Sequence, residues 1–442
     1  MPEILSLLNN ELPDFIPYPF LQEQLKTSKK EKYFIEDVMI KTVFGGMSHN
    51  FQSPIISIND ISIVCDGKIY NSQELYEELQ IVPFTEYDYE IIIHIYHKYG
   101  MERTLQLLDG IFSFILIDYR FNNTNLDFNI YIARDPFGVK PLYALSSSKI
   151  KKENISSDFY GFATNRNILE EIKRYLENKN LNSKNKNYLI EEFLPGTYSK
   201  FELKSKVLSS WKKIKHQIPF HSFGPSMINM NLDSSIKDLL TINHLKAAVK
   251  KRCQNINTTT ILFDNNESII MTDIANKYFI EKYNIPIKCY SLGSDNKQYY
   301  EKYSFNVTEV EVTGIESEKE NIHLSLKEES MDLQEFYNWW FLAKCISNDK
   351  PKSLVLLNIG IDVLISKKKD YSWLEYRFLC EDKFKNVYRD YLKNIYKIFY
   401  HFGLEIDFPW LDRNLTSWNL LRGTKVPPET PSFNNSGNLR FP

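Results

Sequence analysis

The stretch Ala133–Tyr143, ARDPFGVKPLY, places the tightest local constraint on how this chain can fold. It lies between two apolar runs, Phe128–Ile132 and Leu142–Leu145, that read as strands. Asp135-Pro136-Phe137-Gly138 between them reads as a turn. Pro136 pre-sets φ at the first corner, Asp135 can accept from the backbone that follows, and Gly138 tolerates a conformation closed to other residues. Arg134 and Lys140 flank that turn as cations. Local physics alone favours an ordinary strand–turn–strand corner.

Composition bounds the rest. A chain of 442 residues has room for about two domains, each with its own core. Hydrophobic residues make up 43% and charged residues 25%, an ordinary globular balance. The net charge of −2 gives no electrostatic case for nucleic acid. No apolar run approaches the length of a membrane span. The first residues, MPEILSLLNNELPDF, carry acids and no basic n-region, so they do not read as a signal peptide. The five cysteines are dispersed and form no CxxC pair, which fits a reducing, cytoplasmic setting. His94 and His97 have a spacing that can hold a metal, but no further ligand cluster accompanies them, and a solvated helix face is expected.

Along residues 1–205 the pattern alternates short strands with helices. Gly45-Gly46 marks a turn at a strand end. Ile55–Ile58 and Ile61–Val64 pair around Asn59-Asp60. Asp66-Gly67-Lys68-Ile69-Tyr70-Asn71 leads into a helix over Ser72–Leu79, with Asn71 or Ser72 as its cap. Tyr87–Tyr99 is a second helix, with Ile91, Ile92, Ile95, Tyr96 and Tyr99 on its apolar stripe. Asp109–Phe114 opens a buried strand, and Glu192–Tyr198 holds a Pro-Gly turn.

Taken together, these segments resemble the glutamine-dependent asparagine synthetases. The signature Ala-Arg-Asp-Pro-x-Gly-x-Lys-Pro-Leu-Tyr, Asp66–Asn71, Thr85–Tyr99, Asp109–Phe114 and the Pro195-Gly196 turn match that family's segments in order. The resemblance implies an αββα sandwich of the N-terminal-nucleophile type over residues 1–205. It implies a linker over 206–232 and a doubly wound parallel α/β domain of the ATP-pyrophosphatase type over 233–442. The family's nucleophile is a cysteine directly after the initiator Met, attacking the glutamine amide with its own amine as base. Pro2 stands at that position and has no thiol. Cys65 reads as a small core residue. The family's Asn-Gly pair at the oxyanion is Asp66-Gly67 here, and a carboxylate repels the charge that such a site stabilises. Lys68 replaces an acid, and Ile55 aligns loosely with the arginine that grips the substrate carboxylate. Asp88 matches the acid that holds the substrate amine.

The second half shows the same loss of chemistry. Asp233–Arg252 is helical, and its basic end, Lys250-Lys251-Arg252, complements the helix dipole. Thr258–Phe263, Ser268–Tyr283 and Ile287–Leu292 form a βαβ pattern, and Ser353–Leu357 adds a buried strand. The family's pyrophosphate loop uses glycines and a helix N-terminus to cradle phosphate. The residues aligned with it, Phe263–Ile269, contain no glycine, and Asp264 adds negative charge, a repulsion on the order of a few kcal/mol near a phosphate. Glu267 is placed to replace a Mg²⁺ ligand, and Ser268 is retained. Gly360 and Asp362 survive from a second loop, Lys397 matches a lysine supporting the adenylate, and Asp407 replaces an arginine. The resemblance also implies further helices that this sequence lacks after Pro442. Three readings follow. The first is a non-catalytic binding or scaffolding protein, alone, as a homodimer or as a partner of an active synthetase. The second is a divergent synthetase using Mg-ATP, aspartate and free ammonia. The third is a sensor of nucleotide, glutamine or aspartate without turnover.

Overall fold

The computed structural model describes residues 3–8, 34–37, 42–47, 55–120, 127–149, 159–179, 186–204, 211–221, 233–262, 266–292, 305–313, 331–360, 375, 378–379, 382–383, 388–421, 432–433 and 439–440. The chain divides into two compact units, Met1–Ser222 and Phe223–Pro442.

The first unit is built on two six-stranded antiparallel sheets. One contains β1 (Glu3–Leu8), β2 (Phe34–Asp37), β3 (Thr42–Met47), β8 (Tyr143–Lys149), β9 (Tyr160–Ala163) and β10 (Lys186–Glu192), in the order β10-β8-β9-β1-β3-β2. The other contains β4 (Ile56–Ile58), β5 (Ile61–Ile69), β6 (Gly110–Asp118), β7 (Asp127–Arg134), β11 (Thr197–Lys204) and β12 (Lys212–Pro219), in the order β12-β11-β7-β6-β5-β4. Period-two alternation sends side chains to both faces. Ile4, Leu8, Val64, Ile115, Ile117, Ile130 and Ile132 fill the space between the sheets. Ile63, Cys65, Phe112 and Phe114 face the other way, against α1 (Ser72–Leu79), α2 (Ile91–Tyr99) and α3 (Met101–Leu107). Leu5, Leu7 and Leu145 face α4 (Arg166–Lys179) through its Ile168, Leu169, Ile172 and Leu176. The result is helices, sheet, sheet, helix: the expected αββα sandwich. Each fully buried Ile or Leu contributes roughly 1.5–3 kcal/mol, so the alternation settles which face each strand presents.

Several details differ from the sequence expectations. Gly45 and Gly46 do not end a strand; they sit within β3, opposite Leu5 and Ile4 of β1. Asn71 occupies the cap position of α1, but its side chain bonds elsewhere: Nδ2 donates to Leu107 O and Oδ1 accepts from Asp109 N, both at 2.9 Å. This ties the helix start to the start of β6. A 3-10 turn over Asp88–Glu90 precedes α2, whose buried stripe includes Ile93, whereas Tyr99 is exposed. Lys212–Pro219, inside the stretch expected to connect the halves, forms edge strand β12 against β11. The Asn59-Asp60 corner has both residues at positive φ, 49° and 60°, the geometry of a two-residue hairpin turn.

The second unit holds a five-stranded parallel sheet of β13 (Thr258–Ile261), β14 (Lys288–Leu292), β15 (Asn306–Val310), β16 (Leu354–Leu356) and β17 (Glu405–Asp407), ordered β15-β14-β13-β16-β17. Its helices are α5 (Ser234–Arg252), α6 (Asn266–Tyr283), α7 (Leu333–Asp349), α8 (Tyr388–His401) and α9 (Arg413–Leu421). From β13 the chain builds outward to β15, then returns to place β16 on the other side of β13. The strand order therefore reverses between β13 and β16, the crevice where open α/β sheets hold ligands.

Candidate functional site

The signature turn is organised by one carboxylate. Asp135 is fully buried, and its carboxylate accepts from Phe137 N at 3.1 Å, Val139 N at 3.2 Å and Lys140 N at 3.1 Å. Its carbonyl accepts from Gly138 N and Gly196 N, which joins the turn to the Pro195-Gly196 corner. Burial pushes the Asp135 carboxyl up to about 6, against the downward pull of Arg134 and those backbone N–H groups. Gly138 is required twice over: its φ is 67°, and a Cβ would lie 2.6 Å from Pro195 Cγ. Arg134 is wholly buried. It donates to the carbonyls of Lys140 (2.7 Å), Phe193 (2.6 Å) and Gly138 (2.8 Å) and to Glu192 Oε1 (2.8 Å). Its work is to hold the turn.

Lys140 points the other way. Its ammonium lies 2.9 Å from Asp66 Oδ1, and the two side chains are 12% and 0% exposed. The structure thus brings two sequence features together: the signature turn and the Asp66-Gly67 pair at the end of β5. In the sequence Lys140 is a cation flanking the turn, and its partner is 74 positions away, on β5. Gly67 is held in the β5–β6 ladder opposite Phe112, where a Cβ would meet Ile111 O at 2.1 Å and Phe112 Cα at 2.6 Å. Glycine is there because two backbones touch.

Asp88 belongs to the same neighbourhood. Its Oδ2 accepts from Ile69 N at 2.9 Å, two residues beyond Gly67 on β5. Glu90 fixes the approach to Asp88. Its carboxylate is fully buried and accepts from Phe84 N (2.8 Å), Thr85 N (2.6 Å) and the His94 ring (3.0 Å). Burial alone would raise the Glu90 carboxyl; these hydrogen bonds outweigh it and hold the pKa below its ordinary value. His94 is therefore engaged with Glu90. No group of three or more metal-ligating side chains occurs among the described residues. Burial, with Asp88 and Asp66 adding to it and Lys140 opposing, raises the Cys65 thiol well above its usual value, so it stays protonated and inert. Pro2 lies outside the described residues; β1 begins just after it, with Ile4 N donating to Thr164 Oγ1 at 3.1 Å.

In the second unit, Ser268 and Gly360 flank the crevice between β13 and β16. Ser268 is buried on the first turn of α6, and its Oγ donates to Ile261 O at 3.3 Å. Gly360 has φ 110°, and the space a Cβ would need is filled by Leu411, with Cδ2 at 2.4 Å. Glu267 is in the same helical turn as Ser268, with its side chain outside the description, and Asp362 lies outside the described residues altogether. Lys397 is half-buried on α8.

The helix end read as a dipole complement has a second role. Arg252 is buried, with Nε 2.8 Å from Asp407 Oδ1 and Nη1 2.8 Å from Asp412 Oδ2, and Nη1 also donates to Ala248 O at 3.0 Å. Lys251 reaches the same Asp412 oxygen at 2.6 Å. Asp412 in turn accepts from Asn414 N and Leu415 N at the start of α9. The sequence marks Asp407 as a carboxylate where an arginine is expected, and in the structure Arg252 supplies the opposite charge. The interval of 155 residues carries no local pattern that would reveal it.

Comparison with known proteins fits this geometry. A glutamine amidotransferase domain model matches residues 44–158, the stretch that holds Asp66, Gly67, Asp88 and the signature turn. The chain is 30% identical over 171 residues to asparagine synthetase [glutamine-hydrolyzing] of Gallus gallus, covering 38% of this chain and 26% of the relative. It is 27% identical over 245 residues to the Mus musculus protein of that name, covering 52% and 39%, and 25% identical over 242 residues to that of Homo sapiens, with the same coverage. The matched part spans between about a quarter and two-fifths of these relatives' length. The amidotransferase match falls within the two-sheet sandwich of the N-terminal-nucleophile type, and together with these relatives it supports a likeness to the asparagine synthetases over that part of the chain.

Proposed function

We propose that this chain is a non-catalytic asparagine synthetase-like protein that acts by binding. The observation that carries this reading is the buried Asp66–Lys140 ion pair at 2.9 Å. Cleavage of an amide by a nucleophile needs hydrogen-bond donors aimed at the developing oxyanion. Here the residue before Gly67 is a carboxylate, whose oxygens accept and do not donate, and the nearby ammonium is already neutralised by it. Arg134, the other cation of the signature turn, is committed to three carbonyls and Glu192. The thiol close by, Cys65, is held protonated in the core, and Pro2 offers no thiol.

Mg-ATP fits the second unit's described residues poorly. The hydroxyl of Ser268 is tied to Ile261 O, and the open side that glycine would offer a phosphate at Gly360 is packed by Leu411.

The test is direct. Purified chain is assayed for glutamine hydrolysis and for aspartate-dependent ATP–pyrophosphate exchange, with calorimetry against Mg-ATP, AMP, glutamine and aspartate. The expected result is no turnover in either assay. Exchange abolished by Glu267→Ala or Asp362→Asn would establish a divergent synthetase instead, and heat without turnover would establish a sensor.

A further inference from the structure

The outer face of the first unit carries a surface that neither the turn nor the crevice uses. Residues 72–90 contain Glu74, Glu77, Glu78, Glu86, Asp88 and Glu90 and no Lys, Arg or His. Glu90 is buried and Asp88 is bonded to Ile69 N, which leaves Glu74, Glu77, Glu78 and Glu86 exposed. Between the acids on α1 and those beyond it, Val82 is 80% exposed and Phe84 75% exposed. Isolated exposed apolar side chains are common; two on one short rib, ringed by one sign of charge, are not.

The rib is held in place. Gln80 closes α1 in the left-handed conformation, with φ 55°. Ile81 N donates to Tyr76 O at 3.1 Å. The buried Glu90 carboxylate grips Phe84 N and Thr85 N. Phe84 stacks one face on His94, with ring centroids 6.0 Å apart, and leaves the other to solvent. A hollow lies on each side. One of about 520 Å³ is lined by Ile55, Ile58, Phe84 and Tyr87. One of about 590 Å³ is lined by Glu77, Val82, Glu86 and Asp88, and among the described residues no cation lines either. An apolar anchor fixed before binding reduces the entropy cost of association.

We propose that this rib and its two hollows dock a cationic segment of another protein, one whose Lys or Arg side chains flank bulky apolar residues. Charge complementarity selects that partner: the charged side chains of residues 72–90 are all carboxylates, and among the described residues those lining the hollow beside α1 are Glu77, Glu86 and Asp88. The chain's own basic edge strand, β12, is not the occupant. Its lysines, its irregular pairing with β11 and its terminal Pro219 are devices that keep an edge strand from pairing. The inference builds on the binding role proposed above but is tested separately. A chain that docks peptide yet hydrolyses glutamine would keep this proposal and lose the other.

The probe is a fluorescein-labelled peptide of three Lys-Lys-Leu-Phe repeats, with its Glu-Glu-Leu-Phe counterpart as control, titrated against the full chain by fluorescence anisotropy. The Lys peptide should bind and the Glu peptide should not. Amide exchange should slow at residues 80–87. Glu77→Lys with Glu86→Lys should weaken binding about tenfold or more at low salt, a loss of ~1.4 kcal/mol or above. Val82→Ser with Phe84→Ser should weaken it at high salt as well, where screening removes the charge contribution. Glu171→Lys with Glu177→Lys, on α4 in the opposite outer layer, should change nothing. The proposal is overturned if the Lys peptide fails to bind, or if the α4 reversal weakens it equally. It is also overturned if sedimentation shows self-association that the Val82/Phe84 variant abolishes, since a second copy would then cover the face.

Discussion

Each unit buries an ion pair beside the place its sequence marks as a site, and the two pairs differ in reach. In the first unit, one carboxylate, Asp66, meets one ammonium, Lys140, which retains an edge to solvent. In the second, one guanidinium, Arg252, serves two carboxylates, Asp407 and Asp412, with all three side chains at most 2% exposed. The chemistry explains the division. An ammonium on a flexible stem can neutralise a single local charge, whereas a planar guanidinium fork can join groups on separate elements. Lys140 therefore secures a contact between β5 and the signature turn, while Arg252 ties the end of α5 to the end of β17 and the start of α9. A buried charge is thus absorbed in two ways: by one local partner, or by a fork that joins separate elements.

The largest effect should come from breaking the frame. Arg252→Met leaves Asp407 and Asp412 buried without the guanidinium they share, while Lys251 still reaches Asp412. Removing one partner of a buried ionic group costs on the order of 3–5 kcal/mol, and this variant should sit at the upper end. Urea denaturation should show the midpoint falling accordingly. A loss under 1 kcal/mol would mean that water reaches the carboxylates and that the network is not a frame.

Lys140→Met should cost less, about 3 kcal/mol, because it strands one carboxylate near an edge where solvent can approach. Adding Asp66→Asn should recover most of that loss, since the double variant has no unpaired charge. A single second change should rescue Arg252→Met less fully, because that substitution takes the guanidinium from two carboxylates at once. Equal rescue behaviour in both units would erase the distinction drawn between them.

Much of the frame was legible in the sequence, and for a stated reason. Ile63, Val64 and Cys65, or Phe114 and Ile115, alternate between faces with period two, so the strands follow from the pattern. The β13–α6–β14 unit follows from strand and helix runs in succession. What stayed hidden depended on contacts between remote positions. Asp66 reads as a charge at odds with an oxyanion site, but nothing near it in the chain names Lys140 as its partner. Arg252 read as one of three basic residues at a helix end, and burial alone separates it from exposed Lys250. The glycines at 45 and 46 misled because glycine also serves strand interiors. Glu90 escaped notice because a buried carboxylate bound to backbone N–H groups leaves no mark on hydrophobic periodicity.

The turn that carries Lys140 offers a pH test of the first region. Asp135 has its carboxyl raised from 3.8 to about 6, chiefly by burial. For an acid whose folded pKa lies above its unfolded value, the contribution to stability is full below about pH 4 and is lost as pH rises through about 6. The change is on the order of 3 kcal/mol. The stability of wild type relative to Asp135→Asn should therefore fall by about that much between pH 4 and pH 7, measured by denaturant titration at each pH. A flat difference would mean that the three N–H donors already match the cost of burial and that the turn holds its carboxylate ionised throughout.

The smallest effect should separate the two cations of the second region. Lys251 is 22% exposed and shares Asp412 with Arg252. Burial would raise the Asp412 carboxyl, but Arg252 first and Lys251 second outweigh it and hold the pKa below its ordinary value. A lowered folded pKa gives stability that is present above about pH 4 and lost as pH falls through the folded value. Lys251→Met leaves Asp412 with Arg252 and with the α9 backbone, so the cost near neutral pH should be about 1 kcal/mol. With one of its two cations gone, Asp412 should protonate at a higher pH, and acid unfolding should begin earlier than in wild type. If Lys251→Met instead matched Arg252→Met, the ammonium would be the partner Asp412 depends on, and the guanidinium's hold on two carboxylates would not be what joins α5 to α9.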